Sequence, residues 1–516
     1  MISLAKKDLP DDVESLHNLV LHLSRQVRIL SEQVQQLTGH RFGRKTEKVD
    51  PNQLLLFADS KPQDVEVEKE EIVVPSHRRR KRRGHGRGPF PEHLPRNRIV
   101  CDPPQEELKC SCCGKPLLRI GEEITERGHL IPSRFIVNQY VRGKFACPDG
   151  HDGVKISELP PALIDKAKYE TSMYAHLVCA KYADHMPLHR MTGIFKRFGL
   201  NVSKSLMWEM VLRSAELLEP VVKQMKTEIL SQKYIGADET PITVLIPGKK
   251  GTQTGYIWTY LARVGRKVRP VFHFTTSRSR AGPNRFLRDW KGGFIQADRY
   301  PGYNDVASRP DVIRVACWAH ARRKFKEALG GDPKRAARML VLIRRLYRIE
   351  SALKKRRDTM CLDDEAFFAL RKNVRGRLSR IMLRRIRKLA DDFIEAGDIL
   401  PQSGIGKAVD YMLNAWKELE VFVDHGELEA DNNDVERAIR HVAIGRKNWM
   451  FTGSEKGGRV SSILFSIVAS CKALEIDPEA YIRDVLDAVA VTPASEAASL
   501  TPWAWAERQT ALPIND

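Results

Sequence analysis

The stretch KYIGADETP, Lys233–Pro241, predicts a buried strand that delivers a carboxylate, Asp238. Its apolar start at Tyr234 and Ile235 and its bounding proline are typical of such a strand. Three later segments predict companion strands, because they are rich in aromatic and β-branched residues or again end in an acid. They are GYIWTYLAR (Gly255–Arg263), PVFHFTT (Pro270–Thr276) and GFIQAD (Gly293–Asp298). The sequence therefore predicts a sheet within an α/β fold.

Two of these strands end in an aspartate, Asp238 and Asp298. If both strands belong to one sheet, the two carboxylates can meet and hold a metal ion. An Asp that follows a strand more commonly begins a turn. The metal hypothesis therefore depends on what accompanies the two acids.

A third acid, Glu436, lies in DNNDVER (Asp431–Arg437), which predicts the start of a helix. Because Glu436 follows Asn433 by three residues, it fits a capping box, and it also fits a surface pair with Arg440. A glycine loop, Gly453–Gly458, precedes the next predicted helix, and free amides at a helix start can hold a phosphate. The sequence alone leaves these roles of Glu436 open.

The length, composition and net charge of the chain limit the classes of protein to which it can belong. A chain of 516 residues predicts two to four domains. Its longest apolar runs are too short for a transmembrane helix, and MISLAKKDLPDD lacks the apolar core of a signal peptide. We therefore expect a cytoplasmic protein whose nine cysteines are thiols or metal ligands. The net charge of +21 favours a nucleic-acid partner over a merely soluble basic protein.

The N-terminal segment, residues 1–48, predicts a leucine-zipper-like coiled coil. Its a and d positions are Val13, Leu16, Val20, Leu23, Val27, Leu30, Val34 and Leu37. Val at a with Leu at d favours a two-stranded parallel coiled coil, and hence a homodimer or higher oligomer. We expect Gly39 to end the helix. One amphipathic helix packed on its own domain is the alternative.

Residues 49–100 predict a linker that carries a basic arm, HRRRKRRGHGRG (His77–Gly88). Such a run contacts phosphates without reading sequence, although a solvated tail has the same composition. Residues 101–157 predict a small zinc-binding module. Its candidate ligands are Cys110, Cys113, Cys147 and His151. Two thiolates from C-x2-C and a C-x3-H pair suit tetrahedral zinc. Cys112 can replace a neighbour, and unrelated reduced cysteines are the alternative.

Residues 158–232 predict helices, including Pro187–Phe198 and Ser203–Leu218. Gly199 is a natural residue after a helix end, and Ser203 is a natural N-cap. The pair fits a helix-turn-helix or an ordinary αα-hairpin. Residues 331–425 predict a basic helical insertion between two parts of the core, 233–330 and 426–490. Residues 491–516 predict a tail.

Several motifs together resemble the insertion-sequence sixty-six family of transposases, of the TnpC type. They are RFGRKTEK (41–48), GADETP (236–241), QADRYPGYN (296–304), CWAHARRKF (317–325) and DNNDVERAIRHVAIGRKNWMFTGSEKGG (431–458). The resemblance covers residues 13–486, together with the C-x2-C element. The chain departs from it at Gly150, where many relatives show a second C-x-x-C cysteine, and in the tail after Ala490.

The resemblance implies a DDE transposase with an RNase H-like catalytic core, which cleaves transposon ends and joins the 3′ ends to target DNA. Carried over, Asp238, Asp298 and Glu436 are the three acids that hold two Mg²⁺ ions, with Mn²⁺ as a substitute. Zn²⁺ would be structural. Partners would be DNA and small accessory proteins of the same element, at a bacterial nucleoid.

Four residues near the motifs are candidate contacts to DNA phosphate: His320, Arg322, Arg440 and Lys447. Structural ion pairing is their alternative role. Two other functions remain open at this point. One is a non-catalytic DNA-binding regulator that uses the zinc module and the helix-turn-helix, and the other is a hydrolytic RNase H-like nuclease.

Overall fold

The computed structural model describes residues 12–42, 96, 135–145, 155–156, 158–159, 163–164, 167–246, 251–489 and 491–511. By its internal contacts the chain divides into two units, residues 60–143 and residues 1–59 together with 144–516. The linker apart from Arg96, the basic arm and all four predicted zinc ligands lie outside the described residues. In the smaller unit, Arg96 and residues 135–143 are described, and they have no regular secondary structure.

The N-terminal segment forms one helix, α1, Val13–Phe42. The prediction that Gly39 ends this helix is wrong. A glycine inside a helix costs about 1 kcal/mol relative to alanine, which is too little to end a long helix by itself. Four of the apolar heptad residues are largely exposed: Val13, Val20, Val27 and Leu30.

Within the predicted zinc module, the described residues include a short antiparallel pair. Strand β1, Lys144–Phe145, pairs with β2, Lys155–Ile156.

Three helices follow: α2 (Thr171–Tyr182), α3 (Leu188–Arg197) and α4 (Lys204–Leu230). Gly199 adopts a φ of +79°, as expected after a helix end, and Ser203 Oγ accepts a hydrogen bond from the Leu206 N–H at 3.2 Å. The predicted helix pair is confirmed. Helix α4 continues past Pro220 because one face remains buried against the core.

The core is a six-stranded sheet. Its strands are β3 (Tyr234–Leu245), β4 (Thr252–Val264), β5 (Lys267–Thr275), β6 (Gly293–Gln296), β7 (Val312–Val315) and β8 (Phe451–Thr452). The order is β5-β4-β3-β6-β7, with β8 also beside β3. Strands β3, β4 and β5 are antiparallel, whereas β6 and β8 run parallel to β3, and β7 runs parallel to β6. The predicted strands and the α/β fold are confirmed.

The sequence suggests that strand β3 ends at Pro241, but the strand continues to Leu245. The Pro241 carbonyl accepts a hydrogen bond from Arg446 at 2.6 Å, so it faces away from β4. In a strand, the N–H and C=O of one residue point to the same side. The N–H that proline lacks would therefore also face away from β4, and the β3–β4 ladder loses no bond.

Two short helices lie between sheet strands, α5 (Ala281–Phe286) and α6 (Asn304–Ala307), and α7 (Trp318–Ala328) follows β7. The segment predicted as a helical insertion, residues 331–425, is helical. Its helices are α8 (Pro333–Thr359), α9 (Asp364–Val374), α10 (Arg380–Glu395), α11 (Gly404–Asn414) and α12 (Trp416–Glu420). The basic sequence at 371–388 is not wholly exposed, because Arg371 and Arg375 are fully buried. None of the helices in the described ranges is both long and apolar enough to cross a membrane.

Four helices complete the chain: α13 (Asn433–Trp449), α14 (Glu455–Leu474), α15 (Pro478–Val489) and α16 (Pro502–Ala511). Helix α14 lies against the sheet, where Ser466 Oγ accepts a hydrogen bond from the Phe272 N–H at 2.8 Å. The description of residues 491–516 as a tail is wrong for its first part. Trp503 is buried, and its indole N–H donates to Glu228 Oε2 on α4 at 2.5 Å.

Candidate active site

The sheet register relates the first two acids to each other. Gly236 on β3 pairs with Gln296 on β6 in parallel register. Asp238 and Asp298 each follow that pair by two residues, so Asp238, within β3, lies beside Asp298, just beyond the end of β6. Adjacent strands are about 4.8 Å apart, which is close enough for the two side chains to share one cation.

Each of these carboxylates accepts a local backbone hydrogen bond. Asp238 Oδ1 accepts from the Glu239 N–H at 2.9 Å, and Asp298 Oδ1 accepts from the Tyr300 N–H at 3.0 Å. Both bonds use one oxygen and hold the side chain close to its own backbone. Neither bond uses the second oxygen of the acid.

The electrostatics of Asp238 link it to the other acids. Burial first, and then the charges of Glu239, Asp298 and Glu436, raise the pKa of Asp238 to about 7. Like charges disfavour ionisation only when they lie near each other. The three sequence-predicted acids therefore lie within electrostatic range of one another, and a cation there would relieve their repulsion.

The third acid is placed by a close contact between α13 and β3. A Cβ on Gly236 would lie 2.7 Å from Val435 Cγ2 and 2.9 Å from Asn432 Oδ1. The Asn432 amide also donates to the Ala237 carbonyl at 3.0 Å, one residue before Asp238. The start of the helix that carries Glu436 is thus fixed beside the strand that carries Asp238.

The capping-box interpretation of Glu436 does not fit this structure. Helix α13 begins at Asn433 with Asn432 as its N-cap, so Glu436 is one position too late for the box. Its Oε1 lies 3.9 Å from His320 Nε2, and the Glu436 side chain is 38% exposed. Glu436 therefore faces the candidate site and remains accessible to ligands.

Gly236→Ala tests this contact. We expect the added methyl group to force α13 away from β3 and to lower the free energy of unfolding by about 1–3 kcal/mol. Denaturant unfolding of the purified protein measures the change. Gly193→Ala in α3 is the control, because no atom lies within 4 Å of the new Cβ. Equal stability of the two variants would contradict the close approach.

The four candidate DNA contacts occupy different environments. His320 is buried, and burial followed by the Arg323 charge lowers the pKa of its imidazole. Arg322 is half-buried, whereas Arg440 and Lys447 on α13 are exposed. Helical spacing places Arg440 one turn after Glu436, on the same face. The structure thus brings His320 to the acids and leaves Arg440 and Lys447 available at the surface.

One acidic residue of the site was not predicted. Glu239 follows Asp238 directly, and its side chain is 1% exposed. It accepts hydrogen bonds from Arg278 Nε at 2.8 Å and from the Tyr303 hydroxyl at 3.1 Å. The consecutive acids in GADETP were the available signal. Because Glu239 is already paired, it contributes charge to the site and has less capacity to bind a cation.

Taken together, the chain is a mixed α/β protein in which Asp298 and Glu436 lie within electrostatic range of Asp238 on the central strand. Comparison with known sequence families identifies it further. Residues 166–460 match the model described as transposase IS66 family, which is more than half of the chain. The chain belongs to the IS66 transposase family.

Three further family models match other segments. Residues 29–99 match the Transposase C of IS166 homeodomain, residues 107–149 the zinc-finger binding domain of transposase IS66, and residues 466–503 the IS66 C-terminal element. The zinc-finger match supports zinc binding and includes Cys110, Cys113 and Cys147, but it ends before His151. The last match includes residues 491–503, for which the sequence alone predicts a tail.

Similar full-length proteins come from Sinorhizobium fredii. Uncharacterized protein y4jD is 31% identical, over 98% of this chain and 98% of the relative. Uncharacterized protein y4qI is 30% identical over 82% of this chain and 78% of its own length, and y4hP is 29% identical over 81% and 77%. The similarity to these relatives covers most of the chain, and the relatives themselves are uncharacterized.

Proposed function

We propose that this protein is a DNA transposase that cleaves transposon ends and joins the 3′ ends to target DNA. The catalytic core would be RNase H-like, with Asp238, Asp298 and Glu436 as the three metal-binding acids. The observation that best supports this proposal is that Asp298 and Glu436, which are far from Asp238 in sequence, lie within electrostatic range of it. The β3–β6 register and the contact between α13 and β3 account for this proximity.

The sheet topology supports the RNase H-like assignment. Three antiparallel strands are followed by two strands parallel to the first, with the first strand at the centre. Asp238 lies on that central strand, and Asp298 follows its parallel neighbour. Glu436 lies on a helix that comes after the helical insertion. This order of elements supports the proposal that the three acids are the catalytic residues.

The oxygen-rich donor set fits Mg²⁺, which needs few protein ligands and keeps several waters, and Mn²⁺ would substitute for it. Two bound Mg²⁺ ions would supply activation of the attacking oxygen and stabilisation of the leaving oxygen. Asp238 would hold the ions from within β3 and Asp298 from just beyond the end of β6, and Glu436 would close the site from α13. Water would attack one phosphodiester at the element end, and the freed 3′ hydroxyl would then attack target DNA.

The remaining segments would serve DNA binding and assembly, with the boundaries predicted from the sequence. The exposed apolar residues of α1 would pair two protomers through residues 1–48. The basic arm in 49–100, the zinc module in 101–157 and the α3–α4 pair in 158–232 would bind the element ends. Arg440, Lys447 and Arg322 would contact phosphates. Small accessory proteins of the element are further candidate partners, in a bacterial cytoplasm at the nucleoid.

The decisive experiment incubates the purified protein with Mg²⁺, a duplex carrying the inverted repeats that flank its gene, and a supercoiled target plasmid. We expect cleaved ends and covalent joining of the 3′ ends to the plasmid. Cleavage without joining would indicate a hydrolytic nuclease instead. Binding without cleavage would indicate a non-catalytic regulator, and either result would overturn the proposal.

The proposed structural zinc has its own test. Replacing Cys110 and Cys113 together by serine removes two thiolate ligands, so we expect the double variant to lose about one equivalent of bound zinc. Metal analysis of the purified protein measures this. Cys361→Ser, at an exposed cysteine of the insertion, is the control. Unchanged zinc in the double variant would refute the assignment.

A further inference from the structure

Three side chains of different chemistry meet beside the proposed catalytic acids. Ligand atoms of Cys317, His320 and Glu436 all lie within 4.8 Å of one another. Cys317 is the N-cap of α7, and His320 lies three residues later, so both face the same side of the helix start. Glu436 approaches from α13. Two elements of the core thus deliver a thiol, an imidazole and a carboxylate to one point.

The imidazole at this point has an unused ligand atom. His320 is 9% exposed, and its buried Nδ1 has no hydrogen-bond partner within the described structure. Its Nε2 lies 3.9 Å from Glu436 Oε1. Buried polar atoms are normally paired, so the unpaired Nδ1 leaves the His320 ring with a hydrogen-bonding position that no described residue fills.

The sulfur of Cys317 is buried and lies close to backbone N–H donors. Cys317 is fully buried, and its Sγ accepts a hydrogen bond from the Asn432 backbone N–H at 3.2 Å. Burial raises the pKa of the Cys317 thiol to about 12, whereas the backbone N–H groups of Asn432, His320 and Ala319 act in the opposite direction. Such donors stabilise negative charge on the sulfur and orient it, as outer-shell contacts do in metal sites.

The spacing requires little movement to hold an ion. In a tetrahedral zinc site, bond lengths of about 2.0–2.3 Å place neighbouring ligand atoms roughly 3.3–3.6 Å apart. The observed separations, all within 4.8 Å, are larger by at most about 1.5 Å. Glu436 is 38% exposed, so rotation of its side chain can close the difference without repacking the core.

We propose that Cys317, His320 and Glu436 form a second metal site that takes Zn²⁺ and thereby inhibits the protein. This inference rests on the proposed function, because Glu436 would serve both sites. Thiolate and imidazole favour Zn²⁺ over Mg²⁺, which prefers oxygen ligands. Zinc at this site would hold Glu436 away from the Mg²⁺ position, so the two occupancies exclude each other.

The first test measures zinc directly. The full-length protein and a Cys317→Ser variant are dialysed against Zn²⁺, and bound metal is counted per chain. Serine keeps an acceptor for the Asn432 N–H and removes the soft ligand. We expect the variant to hold about one equivalent less than the unaltered protein. Cys471→Ser, at an equally buried cysteine of α14, is the control and should retain the full amount.

The second test measures inhibition. With Mg²⁺ alone, Cys317→Ser should cleave end-containing DNA at the unaltered rate. The zinc concentration that halves cleavage should rise at least about tenfold in this variant, because one ligand is lost. Equal zinc content and equal inhibition in the two proteins would overturn the inference. If Cys317→Ser does not fold, His320→Gln replaces it in the zinc count, with the same expected loss.

A third variant separates this inference from the proposed function. If Glu436→Gln does not cleave DNA while Cys317→Ser binds zinc normally, the catalytic assignment stands and the zinc site fails. If Glu436→Gln cleaves normally but lacks the extra zinc equivalent, the zinc site stands and the catalytic role of Glu436 fails.

Discussion

Asp238→Asn, Asp298→Asn and Glu436→Gln should each abolish Mg²⁺-dependent cleavage of end-containing DNA while leaving DNA binding largely intact. Each change replaces one carboxylate oxygen by an amide nitrogen and keeps the side-chain volume. The amide cannot provide the charge that holds a divalent cation. We expect the rate to fall by about 10³-fold or more, which corresponds to roughly 4 kcal/mol of transition-state stabilisation. Single-turnover cleavage and a gel-shift titration measure the two properties.

Asp289→Asn is the matched control, because this aspartate is 66% exposed and lies outside the acidic group. It should cleave at the unaltered rate. Any one of the three variants that still cuts at that rate would remove its residue from the proposed ligand set. Loss of DNA binding together with cleavage would instead indicate damage to the fold.

The same Asp238→Asn variant allows the repulsion between the acids to be measured without any metal. The Asp238 carboxyl has a pKa of about 7 in the folded protein and 3.8 ordinarily, so the folded state holds its proton more tightly than the unfolded state. Rising pH therefore destabilises the native protein between these two values, and the loss is complete above pH 7. At pH 8 without metal, Asp238→Asn should raise the free energy of unfolding by about 1–3 kcal/mol, and near pH 3 the difference should vanish.

Arg375→Met should cause the largest loss of stability. The Arg375 side chain is fully buried and donates to both oxygens of Glu350, at 2.8 and 2.7 Å. It also donates to three backbone carbonyl groups of the turn that leads to α13. They belong to Phe422, His425 and Leu428. Methionine fills similar space but leaves these acceptors unpaired, so we expect a loss of about 3–5 kcal/mol.

Arg377→Met is the control for this change. Arg377 lies two residues away, in the same π-helical segment between α9 and α10, and its side chain is exposed. Its replacement should alter the free energy of unfolding by less than about 0.5 kcal/mol. Denaturant unfolding of both variants gives the comparison. Equal stability of the two variants would show that the buried guanidinium does not anchor the turn before α13.

The local features were predictable because they depend on short-range patterns. Apolar runs with aromatic and β-branched residues indicated β3 to β6, and Gly199 with Ser203 indicated the boundary between α3 and α4. Where local preference competes with packing, the prediction was wrong. The helix α1 passes Gly39 and the strand β3 passes Pro241, because neither residue breaks a bond that its element requires.

Buried charge was the part that sequence patterns could not reveal. The basic run at 371–388 has the composition of a solvated helical surface, yet Arg371 and Arg375 lie inside the protein with Glu350. Similarly, nothing in CWAHARRKF shows that Cys317 and His320 turn toward Glu436. Which side chains of a helix face inward depends on the elements packed against it, and these come from distant parts of the chain.

By itself, the sequence determined the strands, most of the helices, the three candidate acids and the family to which the chain belongs. These follow from local periodicity and from motifs that remain recognisable without a structure. Only the tertiary structure decided that Asp298 and Glu436 lie within electrostatic range of Asp238 and that Cys317 and His320 lie close to Glu436. The physical reason is that such a meeting needs the β3–β6 register and the close approach of α13 at Gly236, and both are contacts between segments separated by long stretches of chain.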